Sequence, residues 1–199
     1  MDVIDTLVGI APGSRMDAVR EGREVARIHA QNSYEVLLTP AAPGDFSIAE
    51  RFAVAAYVAG LHGAAPTADH YAAGLRGHGG EALAGAVAAA VTQTRAEGPK
   101  GAYPPGPLSA EDTPAPPFAL SPDVAATLGP KLVAALAHAH YLVLHPRDAA
   151  AARFAPLKDA GWTEDSIVSL SQLVAFLAFQ IRVVAGLAVL AATPGAPAA

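Results

Sequence analysis

The stretch that decides the fold is SIAERFAVAAYVAGLHGAAPTADHYAAGL, residues 47–75. It opens with Ser47 and Glu50, which have the S-x-x-E spacing of a helix capping box, and continues as an alanine-rich apolar run. We expect this first helix to end at Gly63, because glycine readily adopts the left-handed conformation that closes helices. Pro66 then begins a second helix, since proline is favoured in the first helical turn. The stretch therefore predicts two helices joined by a sharp turn.

Four side chains that can exchange protons fall within this stretch, and they are Glu50, His62, Asp69 and His70. Glu50 borders an apolar helix face, a setting in which a carboxylate becomes a useful proton carrier. We predict a catalytic site formed by these four residues. Simpler interpretations stay open, because Glu50 also completes the capping box and His62 suits the negative end of a helix.

The same carboxylate and imidazole groups are ligands that several divalent metals accept. The chain contains no H-x-x-x-H or H-E-x-x-H pair, however, and this spacing is the usual signature of such a site on a helix. We therefore expect neither a metal nor a cofactor, although Glu50, His62, Asp69 and His70 stay an alternative ligand set.

The size and charge of the chain limit its partners. Its 199 residues are enough to bury a substantial core, and we expect one domain spanning residues 1–199. A net charge of -5 gives no electrostatic reason to bind nucleic acid or an anionic membrane. The lack of cysteine excludes disulfides, thiolate metal sites and thiol redox chemistry. The amino terminus has no basic segment followed by an apolar one, so we expect a cytoplasmic protein.

Hydrophobic residues make up 52% of the chain and charged residues only 16%. The apolar run over residues 167–192 is interrupted by several polar side chains and by Arg182. An arginine near the centre of a membrane span costs roughly 2.5–3.5 kcal/mol, so we expect no span. A soluble chain of this composition has more apolar surface than a monomer usually exposes. We therefore expect a homo-oligomer. The substrate that we expect is a small molecule of unknown identity.

Helical periods recur through the rest of the chain, and all the strong periods are helical. Repeated prolines from Pro99 to Pro130 interrupt regular structure, which predicts a long loop at about residues 98–130. The fold class predicted by this pattern is all-α, with about seven or eight helices. The predicted helices cover residues 2–9, 15–38, 47–62, 66–75, 78–96, 131–144, 148–160 and 163–190.

Polar residues in the later helices have mainly structural interpretations. On the last predicted helix, Ser171 and Arg182 share a face with the small residues Ala175 and Ala178. Small side chains allow close helix approach, so this face suits a neighbouring subunit, with an acidic partner for Arg182. His138 lies in an apolar helix, where a lone histidine is more often a hydrogen-bonded core residue than a ligand.

The order of these residues resembles the core motif of the alkylhydroperoxidase-D-like and carboxymuconolactone decarboxylase superfamily. That motif is a glutamate, eleven residues, C-x-x-C, three residues and a histidine. In this chain Glu50 is followed by eleven residues and then by His62, which stands in the place of the first cysteine. Ala65 stands in the place of the second cysteine. Asp69 takes the place of the family histidine, and His70 follows one residue later.

The resemblance covers most of the chain, because residues 160–167 and 172–184 look like the C-terminal half of peroxidase-related members of the family. It implies an alkylhydroperoxidase-D-like helical bundle that contains a pocket. The peroxidase reaction of the family relies on its two thiols. Since the chain has no cysteine, the resemblance does not extend to that reaction.

Two functions stay open. One is an enzyme in which Glu50, with His62 or His70, moves protons on a small carbonyl or carboxylate compound. The other is a non-catalytic oligomeric scaffold or binding protein that keeps the fold without the thiols. A cavity between the helices of Glu50 and Pro66 that holds at least two titratable groups would favour the enzyme, and a filled space would favour the scaffold.

Overall fold

The computed structural model describes residues 2–193, and the regular secondary structure in that range is helical. Eight α-helices and no β-strand occur there, which confirms the predicted all-α fold of seven or eight helices. The helices are α1 (Val3–Val8), α2 (Arg15–Glu21), α3 (Glu24–Leu38), α4 (Ile48–His62), α5 (Ala65–Thr94), α6 (Pro122–Leu144), α7 (Ala155–Asp159) and α8 (Glu164–Ala192).

α4 is the central helix of the bundle and packs against α3, α5, α6 and α8. Its side chains from Arg51 to Leu61 are almost all buried, which is why the sequence there is apolar on every face. The predicted boundaries of α4 are confirmed. The Ser47 hydroxyl accepts the Glu50 amide at 3.3 Å, and the Glu50 carboxylate accepts the Ser47 amide at 2.8 Å. Gly63 closes the helix with a φ of 64°.

Two long helices contain a break at a glycine. Gly80 has a φ of 81° inside α5, close to the boundary that the sequence predicts between two separate helices. Gly129 has a φ of 73° inside α6, directly before Pro130. Glycine adopts such angles without a steric penalty. The break at Gly129 accommodates Pro130, which has no amide hydrogen to donate to the helix.

The proline-rich loop ends earlier than the sequence predicts. We call residues 95–121 the strap, and α6 already begins at Pro122 instead of Pro130. Pro122 lies in the first turn of α6, where the helix needs no amide hydrogen, so this proline starts a helix rather than interrupting one. The strap itself contains a short 3-10 turn, Pro107–Glu111.

The predicted single helix over residues 15–38 is wrong, because the chain divides it into α2 and α3. Arg23 has the non-helical angles φ -131° and ψ 44° between them. The bend allows Arg20 of α2 and Arg27 of α3 to pair with the same carboxylate, that of Asp5 in α1. Asp5 is buried, and a buried carboxylate needs such cationic partners.

The predicted helix over residues 148–160 is also wrong over most of its length. The chain forms 3-10 turns at Pro146–Asp148 and Ala151–Phe154 before the short helix α7. The Asp148 carboxylate does not cap a helix. It accepts a hydrogen bond from the amide of Ala102 in the strap, at 2.9 Å. This bond joins the segment to the strap.

α8 follows Thr163, whose hydroxyl caps it, in agreement with the predicted helix over residues 163–190. Within residues 2–193, α8 is the one helix whose length and composition would allow it to cross a membrane. Core helices of soluble proteins share these properties, and 39% of the most apolar window of α8 is buried in the bundle.

Candidate functional site

Glu50 lies at the first turn of α4, where neighbouring groups already satisfy its carboxylate. It completes the capping box and forms an ion pair with Lys131 of α6, whose Nζ lies 2.9 Å from Oε1. The Glu50 side chain is 16% exposed. Lys131 in turn lies over the ring of Trp162, at 4.8 Å from the ring centroid. Glu50 thus joins α4 to α6.

His62 lies at the opposite end of the same helix. Twelve residues separate it from Glu50, and at the rise of an α-helix this is about 18 Å. α4 is continuous between them, so the two side chains do not face a common space. The structure therefore does not bring together the first two residues of the predicted site.

Asp69 and His70 are placed differently again. Asp69 is exposed on α5 and borders a cavity of about 200 Å³ between α4 and α5, in which it is the only titratable residue of the lining. His70 is half-buried, and its Nε2 lies 3.0 Å from the Tyr34 hydroxyl of α3. Burial lowers the pKa of His70. Among the described residues that line the cavity between α4 and α5, Asp69 is the single titratable group, whereas two or more would favour an enzyme.

A different cavity contains His62, and we call it the His62 cavity. Its volume is about 370 Å³, and it lies where the end of α4 meets α6, α8 and the strap. Its walls are mostly apolar, with three polar side chains among them. The lining residues are His62, Pro99, Leu142, Val143, Pro146, Ser171, Val174, Ala175, Ala178 and Arg182.

His62 is held as a neutral imidazole. Burial lowers its pKa, and the positive charge of Arg182 lowers it further. Its Nε2 is buried, and no described residue offers that atom a hydrogen bond. Because Nε2 is buried, Nδ1 is the ring nitrogen of His62 that can accept a proton from a molecule bound in the cavity.

Arg182 carries a positive charge at the same cavity. Its Nη1 donates to the Ala178 carbonyl at 2.7 Å, one turn earlier on α8. Across residues 2–193 no carboxylate lies within ion-pair distance of this guanidinium, which is exposed. The remaining donors of Arg182 are therefore available to a ligand, and a carboxylate fits them best because it can accept two parallel hydrogen bonds.

Ser171 is the third polar residue of the cavity. Its hydroxyl donates to the Ile167 carbonyl at 2.8 Å, and its oxygen lies 3.0 Å from Nε2 of His138. The serine has a single proton, which is committed to Ile167, so His138 is the donor in the second bond. His138 is itself buried, and burial lowers its pKa.

The sequence alone misses Ser171 and Arg182 as site residues. Their spacing with Ala175 and Ala178 places all four on one face of α8, and this pattern suggests a subunit contact. The missing information is that the end of α4 lies opposite that face. No group of three or more metal-binding side chains occurs in the described part of the chain, so the cavity offers no recognisable metal centre.

A larger depression of about 550 Å³ lies between α8 and α3. It includes His29, Asn32 and Ser33, polar residues at the surface of α3. This depression is more open to solvent, and it contains neither a buried titratable side chain nor a charged one. Ligand sites usually enclose most of their ligand, so we take the His62 cavity as the candidate site.

Neither protein-family models nor curated proteins give a match to this chain.

Proposed function

We propose that this protein binds a small, mostly apolar carboxylate in the His62 cavity and transfers a proton at the carbon next to a carbonyl group of that ligand. The observation that carries the proposal is the pair of polar groups in an apolar cavity: His62, whose pKa burial lowers, and Arg182, which no carboxylate within residues 2–193 approaches to ion-pair distance. The proposal includes kinship with the carboxymuconolactone decarboxylase superfamily, on the resemblance of the motif from Glu50 to His70.

Each group has one task in the proposed reaction. Arg182 holds the carboxylate through paired, charge-assisted hydrogen bonds. The apolar walls favour an uncharged ligand body. His62 removes the proton from carbon, and the electron pair of the broken C–H bond moves to the carbonyl oxygen as an enolate forms. Return of the proton to carbon completes the cycle without an oxidant or a reductant.

Exchange of carbon-bound protons with heavy water tests this proposal. The probe is 2-oxooctanoate, the α-keto acid with the carbon chain of octanoate. It is incubated with the purified protein in D2O, and proton NMR follows the signal of the protons on the carbon next to the ketone. We expect exchange above the protein-free rate. His62→Gln should reduce the protein-dependent rate by about 10²–10⁴-fold. Arg182→Gln should mainly raise KM, because it removes the anchor of the carboxylate.

A matched control and a pH profile complete the experiment. Arg76→Gln removes an arginine that is about half exposed on α5 and is not among the residues that line the cavity, so it should leave exchange unchanged. Because the pKa of His62 is lowered, exchange should persist below about pH 6.5, where an ordinary histidine becomes protonated. Wild-type protein that neither binds this acid nor exchanges its protons would overturn the proposal.

The second candidate function is a non-catalytic oligomeric scaffold, and one observation favours it. α8 presents an exposed apolar stripe on the side away from the core, with Val168, Phe179 and Val189 at 55%, 48% and 69% exposure. Val25 and Val36 of α3 are also exposed, at 70% and 66%. Two helices with this much exposed apolar surface are suited to contact a second copy of the chain.

A further inference from the structure

The His62 cavity has a polar group at each end. Ser171 and Arg182 are both on α8, eleven residues apart and on the same face of the helix. At the rise of an α-helix this corresponds to about 16 Å between their backbones. Both side chains reach back by one turn, Ser171 to the Ile167 carbonyl and Arg182 to the Ala178 carbonyl. Their polar ends therefore keep about the same separation.

The wall between these two ends is apolar. On α8 it consists of Val174 and of the small residues Ala175 and Ala178, which leave the space open. Leu142 and Val143 of α6 form the facing wall. The cavity is thus a slot that runs along α8, with a cation at one end and a hydroxyl at the other. An extended chain fits such a slot better than a compact ring.

The bonds of Ser171 decide which ligand group its end can recognise. The hydroxyl proton is used by the Ile167 carbonyl, and one lone pair of the oxygen accepts from His138. One lone pair is left, so Ser171 can accept one further hydrogen bond but can donate none. A ligand must bring a donor, such as a hydroxyl group, to this end.

The geometry points to an elongated aliphatic carboxylate that carries a hydroxyl at its far end as the ligand class of the His62 cavity. Arg182 binds the carboxylate, the slot holds the chain, and Ser171 accepts the hydrogen bond of the terminal hydroxyl. His138 acts as a positioning residue, because its bond keeps the serine oxygen in place. This inference rests on the proposed function and adds the shape and the second polar group of the ligand.

Calorimetric titration with three probes of equal chain length tests the inference. The probes are octanoate, ω-hydroxyoctanoate and ω-methoxyoctanoate, and the last has an oxygen but no proton to donate. We expect the hydroxyl to strengthen binding about 2–10-fold over octanoate, as one neutral hydrogen bond does. The methoxy compound should show no such gain.

Two variants locate the effect. Ser171→Ala should remove the advantage of the hydroxyl compound over octanoate, whereas Ser171→Thr, which keeps the hydroxyl oxygen, should retain the advantage. If octanoate binds through Arg182 but the hydroxyl gives no gain in wild-type protein, this inference is overturned and the proposed function stands. If none of the three carboxylates binds, the proposed function fails and the inference fails with it. The wild-type comparison remains decisive even if Ser171→Ala does not fold.

Discussion

Glu50 illustrates how a single side chain can have a complete structural explanation. Its carboxylate accepts hydrogen bonds from the amide and the hydroxyl of Ser47, and it pairs with Lys131. It is also about 18 Å from His62 along α4. The sequence left a capping role and a proton-transfer role open, and the contacts of Glu50 account for the capping role without any ligand.

Glu50→Gln should therefore affect stability rather than ligand binding. Glutamine preserves the capping box but loses the partly buried ion pair with Lys131, so we expect the free energy of unfolding to fall by about 0.5–1 kcal/mol. Urea unfolding measures this loss. Lys131→Gln removes the same ion pair together with the contact of Lys131 over the Trp162 ring and should cost more, and the double variant should cost less than the sum. Loss of ligand binding or proton exchange in Glu50→Gln at unchanged stability would instead support the proton-transfer role.

The same residues show what can be predicted from local sequence. The capping box was predictable, because Ser47 and Glu50 lie three residues apart and the box depends on nothing else. The position of His62 and Arg182 at one cavity was not predictable from local sequence. The two residues are 120 positions apart, and only the packing of α4 against α8 brings them together. The predicted catalytic roles of Glu50 and His70 stay predictions.

At the scale of helices, boundaries were predictable where the signal is local. Ser14, Ser47 and Thr163 cap their helices through their side-chain oxygens, and serine and threonine are favoured at that position. The bend at Arg23 was not predictable, because it depends on ion pairs with a different helix, α1. α6 begins at Pro122, earlier than the predicted helix over residues 131–144. Proline both begins and interrupts helices, and only the three-dimensional context distinguishes these two roles.

The exposed stripe of α8 leads to a prediction about assembly. We expect the wild-type protein to form a dimer or a larger oligomer at micromolar concentration, because Phe179 and Val189 would lose water contact at a subunit interface. Phe179→Glu should shift the protein to monomers, since burying an unpaired carboxylate is costly. Light scattering coupled to gel filtration measures the change.

Leu108→Glu, at an equally exposed apolar residue of the strap, is the control and should leave assembly intact. A wild-type monomer would contradict the prediction.

At the scale of the whole molecule, burial affects several histidines in the same direction. It lowers the pKa of His62, His70, His138 and His140 below that of an ordinary histidine. The unfolded chain, in which histidines titrate near pH 6.5, therefore binds more protons than the folded chain at mildly acidic pH. The contribution of these groups to stability is complete above about pH 6.5 and declines as the pH falls below it.

Acid should consequently destabilise the fold, and His140 offers the cleanest test. It is fully buried, its Nε2 donates to the Thr94 carbonyl at 3.1 Å, and nearby His145 adds to the lowering of its pKa. We expect the free energy of unfolding to fall steadily between about pH 6.5 and pH 5, by at most about 1.4 kcal/mol per pH unit for each such histidine. His140→Gln keeps a donor for Thr94 but cannot titrate, so its urea-unfolding curves should show a weaker pH dependence. His29→Gln, at an exposed histidine of α3, should preserve the wild-type slope. If His140→Gln and wild type lose stability in parallel on acidification, the burial of His140 is not what makes this fold sensitive to acid.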